Sequence, residues 1–188
     1  NKLTAHPAYD RFWSERAMDK ILGRLPLKVP VMLVDSLWDQ EDIYGAMAVY
    51  KAIEPKDSRG DMVYLVIGPW HHGQEIEPAS HLGAIHFGSE TGTYFMQHIL
   101  APFLAHYLKS DAPANPVAPV TAFRTGSNQW ERLTAWPQGC ASGCDIQPTP
   151  FYLHADGKAS FTAPTAAEAT DTSYVSDPAK PVPYRTRP

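Results

Sequence analysis

Three acidic residues and two histidines follow two apolar segments in the first half of the chain. Asp39, Glu41 and Asp42 come soon after the apolar run VPVMLV, and His71 and His72 come soon after the run MVYLVIG. A carboxylate that bonds to an imidazole orients it and stabilises its protonated form, so the imidazole can act as a base towards a hydroxyl. These residue types, in this order, predict the acid and the base of a hydrolytic site.

The segments around these residues have the pattern of a parallel sheet. Residues 31–35 and 62–67 are almost continuously apolar, which is typical of strands that are buried on both faces. The segment between them has an apolar face at helical spacing, formed by Ile43, Ala46, Met47, Tyr50 and Ile53. Parallel strands joined by a helix end at the same edge of a sheet. We therefore expect Asp39 and His72 to meet at that edge. The competing interpretation is that the acids cap the helix and the histidines lie in solvated loops.

The rest of the α/β region is helical. Residues 1–24 carry apolar side chains at helical spacing from about position 8 and are predicted to form a helical segment. A second amphipathic helix is predicted over residues 90–109, with a kink at Pro102. Residues 25–110 then form one α/β domain.

The pattern changes after residue 110. A Pro/Ala-rich linker occupies residues 111–119, and helical periodicity is weak beyond it. Turn signals separate five short strand-like segments, at 120–125, 130–133, 151–153, 160–162 and 174–175. The predicted fold is therefore an α/β sheet followed, over residues 120–188, by an incomplete β-sandwich or jelly roll.

Composition excludes several classes of partner. The chain of 188 residues has a net charge of −4 and no cluster of lysine or arginine, so it offers no basic surface to nucleic acid or to an acidic membrane. No apolar run approaches the roughly 20 residues of a membrane span. We expect no cofactor and no metal.

Two cysteines, Cys140 and Cys144, are separated by three residues that include serine and glycine. This spacing favours a small disulfide loop, which would make the protein periplasmic or secreted. Free thiols are one alternative. Metal ligation is another, with His154 as the only nearby further ligand.

The motifs LWDQEDIYGA and YLVIGPWHHGQ resemble those of the α-amino acid ester hydrolases. These enzymes belong to the cocaine esterase, glutaryl acylase and X-prolyl dipeptidyl peptidase group of serine hydrolases. The similarity extends along the chain, through HPAYDRFW near its start and YVSDPAKPVPY near its end. WDQED points to the ester hydrolases in particular, whereas Ser36 stands where the family pattern has glycine.

The resemblance assigns roles to the acidic and histidine residues. Asp39 matches the triad aspartate, and His72, rather than His71, matches the triad histidine. Glu41 and Asp42 match two members of a carboxylate cluster that binds the substrate's α-ammonium group. Two such carboxylates beside Asp39 repel one another unless a cation lies between them, which agrees with that role.

The resemblance also sets expectations for the whole enzyme. It implies that the chain is the C-terminal part of an α/β-hydrolase, with residues 1–24 ending a helical cap and with Trp38 and Trp70 as walls of the site. No Gly-x-Ser-x-Gly motif occurs in the chain. In the family, the nucleophilic serine and the oxyanion donors lie upstream of Asn1, so the isolated chain is expected to be inactive.

Hydrolysis or transfer of α-amino acyl esters, including β-lactam antibiotic synthesis or cleavage, is therefore the expected activity of the full-length parent. Small α-amino acid esters or β-lactams would be its substrates, and the family resemblance suggests a homotetramer. A glutaryl acylase or a cocaine-esterase-like hydrolase is the alternative enzyme. A structural or binding fragment is the alternative without catalysis.

Overall fold

The main sheet is built around two parallel strands, β1 (Val31–Ser36) and β2 (Val63–Gly68). The computed structural model describes residues 1–138, 146–168, 171 and 173–181. Helix α3 (Gly45–Ile53) joins the two strands, whose pairing runs from Val31 opposite Val63 to Ser36 opposite Gly68. The predicted strand–helix–strand unit is present, and the α/β class is confirmed.

Helices cover both faces of β2, because successive side chains of a strand point to opposite faces. On one face Val63, Leu65 and Ile67 pack with the buried side of α3. On the other face Tyr64 and Val66 pack against the helical segment over residues 91–108. Every residue of β2 is buried as a result, which explains its continuous apolar sequence.

The chain reaches the first strand through two short helices, α1 (Arg11–Ser14) and α2 (Met18–Arg24). The sequence predicts one helix here, but Ala17 has an extended backbone with ψ 120° and separates the two. Asp10 caps α1 by accepting the N–H of Phe12 at 2.8 Å. Leu22 of α2 packs against the core that α3 and β2 share.

The predicted helix over residues 90–109 contains three different helical segments. They are α4 (Thr91–Tyr94), a π-helical segment (Phe95–Leu100) and α5 (Ala101–Leu108). The N–H of Ala101 bonds to the carbonyl of Met96, five residues back, just before Pro102 interrupts the donor pattern. The proline therefore coincides with a change of helix type at the start of α5.

Two further strands extend the main sheet beyond β2. Strand β5 (Val120–Arg124) pairs parallel with β2, and β6 (Gln129–Leu133) pairs antiparallel with β5, so the order is β1-β2-β5-β6. The sequence correctly places both strands but assigns them to a separate β domain. They join the α/β sheet because Val120 and Ala122 pack in the same core as Leu65. The predicted linker over residues 111–119 leads directly into this pairing.

The remaining strands are short. Between β2 and α4 lie β3 (His81–Leu82) and β4 (Ile85–His86), which pair antiparallel. Single 3₁₀ turns occur at Glu54–Lys56, Gln74–Ile76 and Ala155–Gly157. Within the described residues, no helix combines the length and the apolar character needed to cross a bilayer.

The chain divides into two compact units, Asn1–Cys144 and Asp145–Pro188. The second unit contains an antiparallel pair, β7 (Tyr152–Leu153) and β8 (Ala159–Ser160), close to two predicted strands. The predicted strand at 174–175 is absent there, and both of its side chains are exposed. The jelly roll and the domain boundaries remain predictions. Cys140 and Cys144 lie outside the described residues, as does their predicted disulfide.

Candidate active site

The loops that follow β1 and β2 run side by side beyond the ends of the strands. The N–H of Leu37 donates to the carbonyl of Gly68 at 2.9 Å, and the N–H of Trp38 donates to the carbonyl of Trp70 at 3.0 Å. These bonds continue the parallel pairing that ends at Ser36 and Gly68. They hold together the two loops in which Asp39 and His72 lie.

A glycine at position 68 makes this close approach possible. A Cβ atom on Gly68 would lie only 2.3 Å from ring carbons of Trp70. The Trp70 ring is fully buried, and its Nε1–H donates to Thr91 Oγ1 at 2.9 Å. The structure thus places Trp70 in the core, and its predicted place in the wall of the site stays a prediction.

Asp39 and His72 meet at the edge of the sheet. The distance between His72 Nδ1 and Asp39 Oδ2 is 2.9 Å, with the Asp39 side chain 10% exposed and the His72 side chain 48% exposed. An ionised carboxylate only accepts hydrogen bonds, so Nδ1 carries the hydrogen and Nε2 becomes the nitrogen that can take a proton. The imidazole of His72 is therefore accessible, and the carboxylate of Asp39 is enclosed.

Backbone donors hold the Asp39 carboxylate in its charged form. Burial by itself raises the pKa of Asp39, but the N–H groups of Glu41 and Asp42 donate to Oδ1 at 2.7 and 2.9 Å. Together with the His72 bond they bring the pKa of Asp39 below its ordinary value. Asp39 is thus an anion in the pH range where a histidine can accept a proton.

Asp39 does not cap the helix that follows it. Helix α3 begins at Gly45, and its N-cap residue, Tyr44, makes no side-chain capping bond. Asp39 instead closes a turn by accepting from residues two and three positions later. The capping interpretation of the WDQED motif is therefore wrong for Asp39.

A cavity of about 200 Å³ opens beside the pair, lined by Val34, Asp35, Ser36, Asp39, Asp42, Ala46, His72, Gly73 and Glu75. Of the predicted substrate-binding residues, only Asp42 lines this cavity. Glu41 and Trp38 are exposed and are not part of its lining. His71 bonds through Nδ1 to the carbonyl of His72 at 3.1 Å and is no part of the lining.

Sequence reasoning missed two acidic residues in the lining. Asp35 is the fifth residue of β1 and only 4% exposed, and Glu75 follows His72 in the next turn. The pKa of Asp35 is raised to about 6, mainly by burial. The hydrogen bond from the N–H of Ser36 lowers this pKa, whereas the negative charges of Asp39 and Asp42 raise it further. An aspartate near the end of an otherwise apolar strand is the sequence signal that could have identified it.

Gln74 braces the turn that carries His72. Its buried side-chain amide accepts the N–H of His71 at 3.2 Å and donates to the carbonyl of His81 at 2.8 Å. Gly73, with φ 79°, provides the left-handed backbone that this turn needs. The imidazole is therefore held from both sides, by Asp39 and by the turn.

A carboxylate-bonded imidazole at the carboxyl edge of parallel strands is the acid–base arrangement of the α/β-hydrolase class. Comparison with known proteins agrees with this class. Residues 1–74 match the family described as X-Pro dipeptidyl-peptidase (S15 family). Comparison with curated protein sequences gives no significant match.

Two solved structures are similar over nearly the whole chain. An α-amino acid ester hydrolase labelled with selenomethionine shares 50% identity over 97% of this chain, with a TM-score of 0.84. An aminopeptidase from the marine sediment archaeon Thaumarchaeota archaeon shares 47% identity over 99%, with a TM-score of 0.82. The chain spans 30% and 29% of the lengths of these two proteins. The resemblance carried by the motifs is thereby confirmed, and the chain is a relative of the α-amino acid ester hydrolases.

Proposed function

We propose that this chain supplies the acid and the base of a serine hydrolase that hydrolyses or transfers α-amino acyl groups. The Asp39–His72 pair, 2.9 Å apart at the edge of the sheet, is the observation that carries the proposal. The 50% identity to an α-amino acid ester hydrolase supports it. The nucleophilic serine would come from a part of the complete protein outside these 188 residues.

The proposed reaction proceeds through an acyl-enzyme. His72 Nε2 takes the proton of the serine hydroxyl as its oxygen attacks the ester carbonyl, and Asp39 stabilises the resulting imidazolium. His72 then protonates the departing alcohol. In the second half of the reaction it activates water, which gives hydrolysis, or accepts a proton from an amine such as a β-lactam nucleus, which gives transfer.

Carboxylates beside the pair would select substrates with a free α-amino group. Asp42 lines the cavity together with Asp39, and the neighbouring Glu41 is exposed. A charged ammonium group donates up to three hydrogen bonds and is attracted to closely spaced anions. In this proposal Asp42 makes the closer contact and Glu41 adds charge from the solvent side.

The properties of the complete protein are also proposals. We propose small α-amino acid esters or β-lactams as substrates, a homotetrameric assembly, and export to the periplasm or beyond. The isolated chain would be inactive because it lacks the serine. Sequencing upstream of Asn1 would support this if it shows a Gly-x-Ser-Tyr-x-Gly motif.

Steady-state hydrolysis of phenylglycine methyl ester by the full-length parent tests the activity. Asp39→Asn keeps the shape of the side chain but favours the wrong imidazole tautomer, so kcat should fall by about ten-thousand-fold. Asp57→Asn is a matched control, since Asp57 accepts backbone N–H groups in the loop before β2, away from the cavity. Equal activity of Asp39→Asn and the parent would refute the triad role.

Aminopeptidase activity is a second candidate, favoured by the similarity to the archaeal aminopeptidase. Both relatives are named for substrates that carry an α-amino group. Parallel assays with an α-aminoacyl ester and the corresponding α-aminoacyl anilide would separate the two activities. A preference for glutaryl amides or benzoyl esters would favour the glutaryl acylase or cocaine-esterase-like alternatives instead.

A further inference from the structure

The cavity beside Asp39 and His72 contains more negative charge than the triad and the predicted ammonium site require. Asp35 and Glu75 line it in addition to Asp39 and Asp42, so four carboxylates face one imidazole across about 200 Å³. Asp35 comes from the end of β1 and Glu75 from the turn after β2. Two different elements thus bring additional acids to the same space.

Hydrogen-bond donors within the described residues do not satisfy these two acids. Asp35 is more than nine-tenths buried, and the N–H of Ser36 donates to its Oδ1 at 3.0 Å, but no described group donates to its other oxygen. Glu75 Oε2 is buried and has no partner in the part of the chain that the structure describes. A buried carboxylate oxygen without a donor is costly, so Glu75 calls for a donor that the described residues do not supply. The second oxygen of Asp35 is not fully buried, and Asp35 lines the cavity, so a donor in the cavity can reach it.

The missing donor has the chemistry of an organic cation. Within the described residues, no group of three or more acidic, histidine or cysteine side chains is arranged to hold a metal ion. The acids instead come from two segments, β1 with its following loop and the turn after β2, and an ammonium group can direct one N–H towards each of several such acceptors. A primary ammonium group is therefore the cation that fits this arrangement.

We propose that Asp35 and Glu75 are further specificity-determining residues, which receive N–H groups of the substrate's α-ammonium together with Asp42. This inference rests on the proposed function. It extends amine recognition to residues of the cavity lining that lie outside the WDQED motif.

The ionisation of Asp35 gives this proposal a dependence on pH. The titratable groups that face Asp35 across the cavity are Asp39 and Asp42 from the loop after β1, and His72 and Glu75 from the loop after β2. Burial raises the pKa of Asp35 to about 6, and an ammonium group bound beside it would favour the charged form and lower that value. KM for an amino ester should therefore rise as the pH falls below 6.

The test compares two substrates in the full-length parent, phenylglycine methyl ester and phenylacetic acid methyl ester, which lacks the amine. Asp35→Asn should raise KM for the amino ester about tenfold and leave KM for the other ester unchanged. It should also remove the rise of KM below pH 6. Glu75→Gln should act in the same direction, and it tests the proposal separately if Asp35→Asn does not fold.

Glu77→Gln is the matched control, since Glu77 is exposed in the same loop and does not line the cavity. Equal loss of activity on both esters would mean that Asp35 and Glu75 are structural, and unchanged kinetics on both would also overturn the inference. The outcome is separable from the proposed function. If Asp39→Asn abolishes amino ester hydrolysis and Asp35→Asn has no effect, only the further inference fails.

Discussion

Two histidines of this chain bond to a carboxylate with the same geometry but in different surroundings. His72 Nδ1 lies 2.9 Å from Asp39 in the first unit, and His154 Nδ1 lies 2.9 Å from Glu168 in the second. The His72 side chain is 48% exposed, whereas that of His154 is 16% exposed. The acid–imidazole distance therefore does not distinguish a base from a structural histidine.

The second ring nitrogen of His154 is engaged by groups of its own unit. His154 Nε2 lies 2.9 Å from Ser160 Oγ and 3.0 Å from the carbonyl of Thr162. Glu168, His154 and Ser160 have the composition of a catalytic triad, yet a carbonyl can only accept, so Nε2 donates to it. The Ser160 hydroxyl donates to the carbonyl of Thr162 at 3.2 Å, and its oxygen accepts the N–H of Thr162 at 3.1 Å. This pair joins a hairpin to a turn, while the pair at Asp39 faces a cavity.

The largest effect is expected when the imidazoles of His72 and His154 are removed, one at a time, in the full-length parent. His72→Ala should lower kcat for phenylglycine methyl ester by about ten-thousand-fold or more, because the general base is lost. His154→Ala should leave kcat within about twofold and affect only local stability. A similar loss of kcat in both variants, with both folded by circular dichroism, would contradict the distinction.

The charge of Asp35 should reduce stability at neutral pH. Its pKa is raised from 3.8 to about 6, so the folded protein keeps the proton at pH values where the unfolded chain has released it. The free energy of unfolding should therefore decrease as the pH rises from about 4 to above 6, by about 3 kcal/mol from this residue. Urea unfolding of the full-length parent at pH 5 and pH 8 measures the part of this decrease that lies above pH 5, about half of it.

Asp35→Asn should remove that decrease and make the parent more stable at pH 8. Glu77→Gln provides the exposed control and should keep the pH dependence of the parent. An Asp35→Asn variant that loses as much stability as the parent between the two pH values would show that another group titrates. In that case the difference between the two units would concern only their histidines.

Asp42 and Glu41 should differ in their contribution to amine selectivity. Asp42→Asn should reduce the preference for an amino ester over its analogue without the amine by about tenfold, since its carboxylate lines the cavity. Glu41→Gln should have a smaller effect because Glu41 does not line the cavity. The measurement is the ratio of kcat/KM for the two esters. A larger effect at Glu41 would place the ammonium group outside the cavity.

The smallest expected effect concerns the second unit. The N–H of Ala155, bonded to Glu168 at 3.0 Å, and the His154 bond lower the pKa of Glu168. Its stabilising contribution is present above the ordinary glutamate pKa and is lost as the pH falls through the lowered value. Glu168→Gln should speed amide hydrogen exchange at Ala155 with no change in kcat. Unchanged exchange would show that the pair contributes nothing to the hairpin.

Much of the first unit could be predicted from sequence because its signals are local. Continuous apolar runs indicated β1 and β2, and helical spacing indicated the helix between them. The position of Asp39 and His72 after those strands then predicted their meeting, since parallel strands end at one edge. Tertiary contacts decided the rest. The break between α1 and α2 and the π-helical segment depend on packing that no local pattern records.

Residue types and order by themselves predicted that Asp39 and His72 meet, and they carried the resemblance to the α-amino acid ester hydrolases. Only the tertiary structure decided which side chains share the cavity with that pair, because burial depends on neighbours distant in sequence. It placed Trp70 in the core, joined β5 and β6 to the main sheet, and buried Asp35 in the lining of the cavity that Asp39 shares. It also made His154 a structural residue, since a carbonyl eight residues away occupies its second nitrogen.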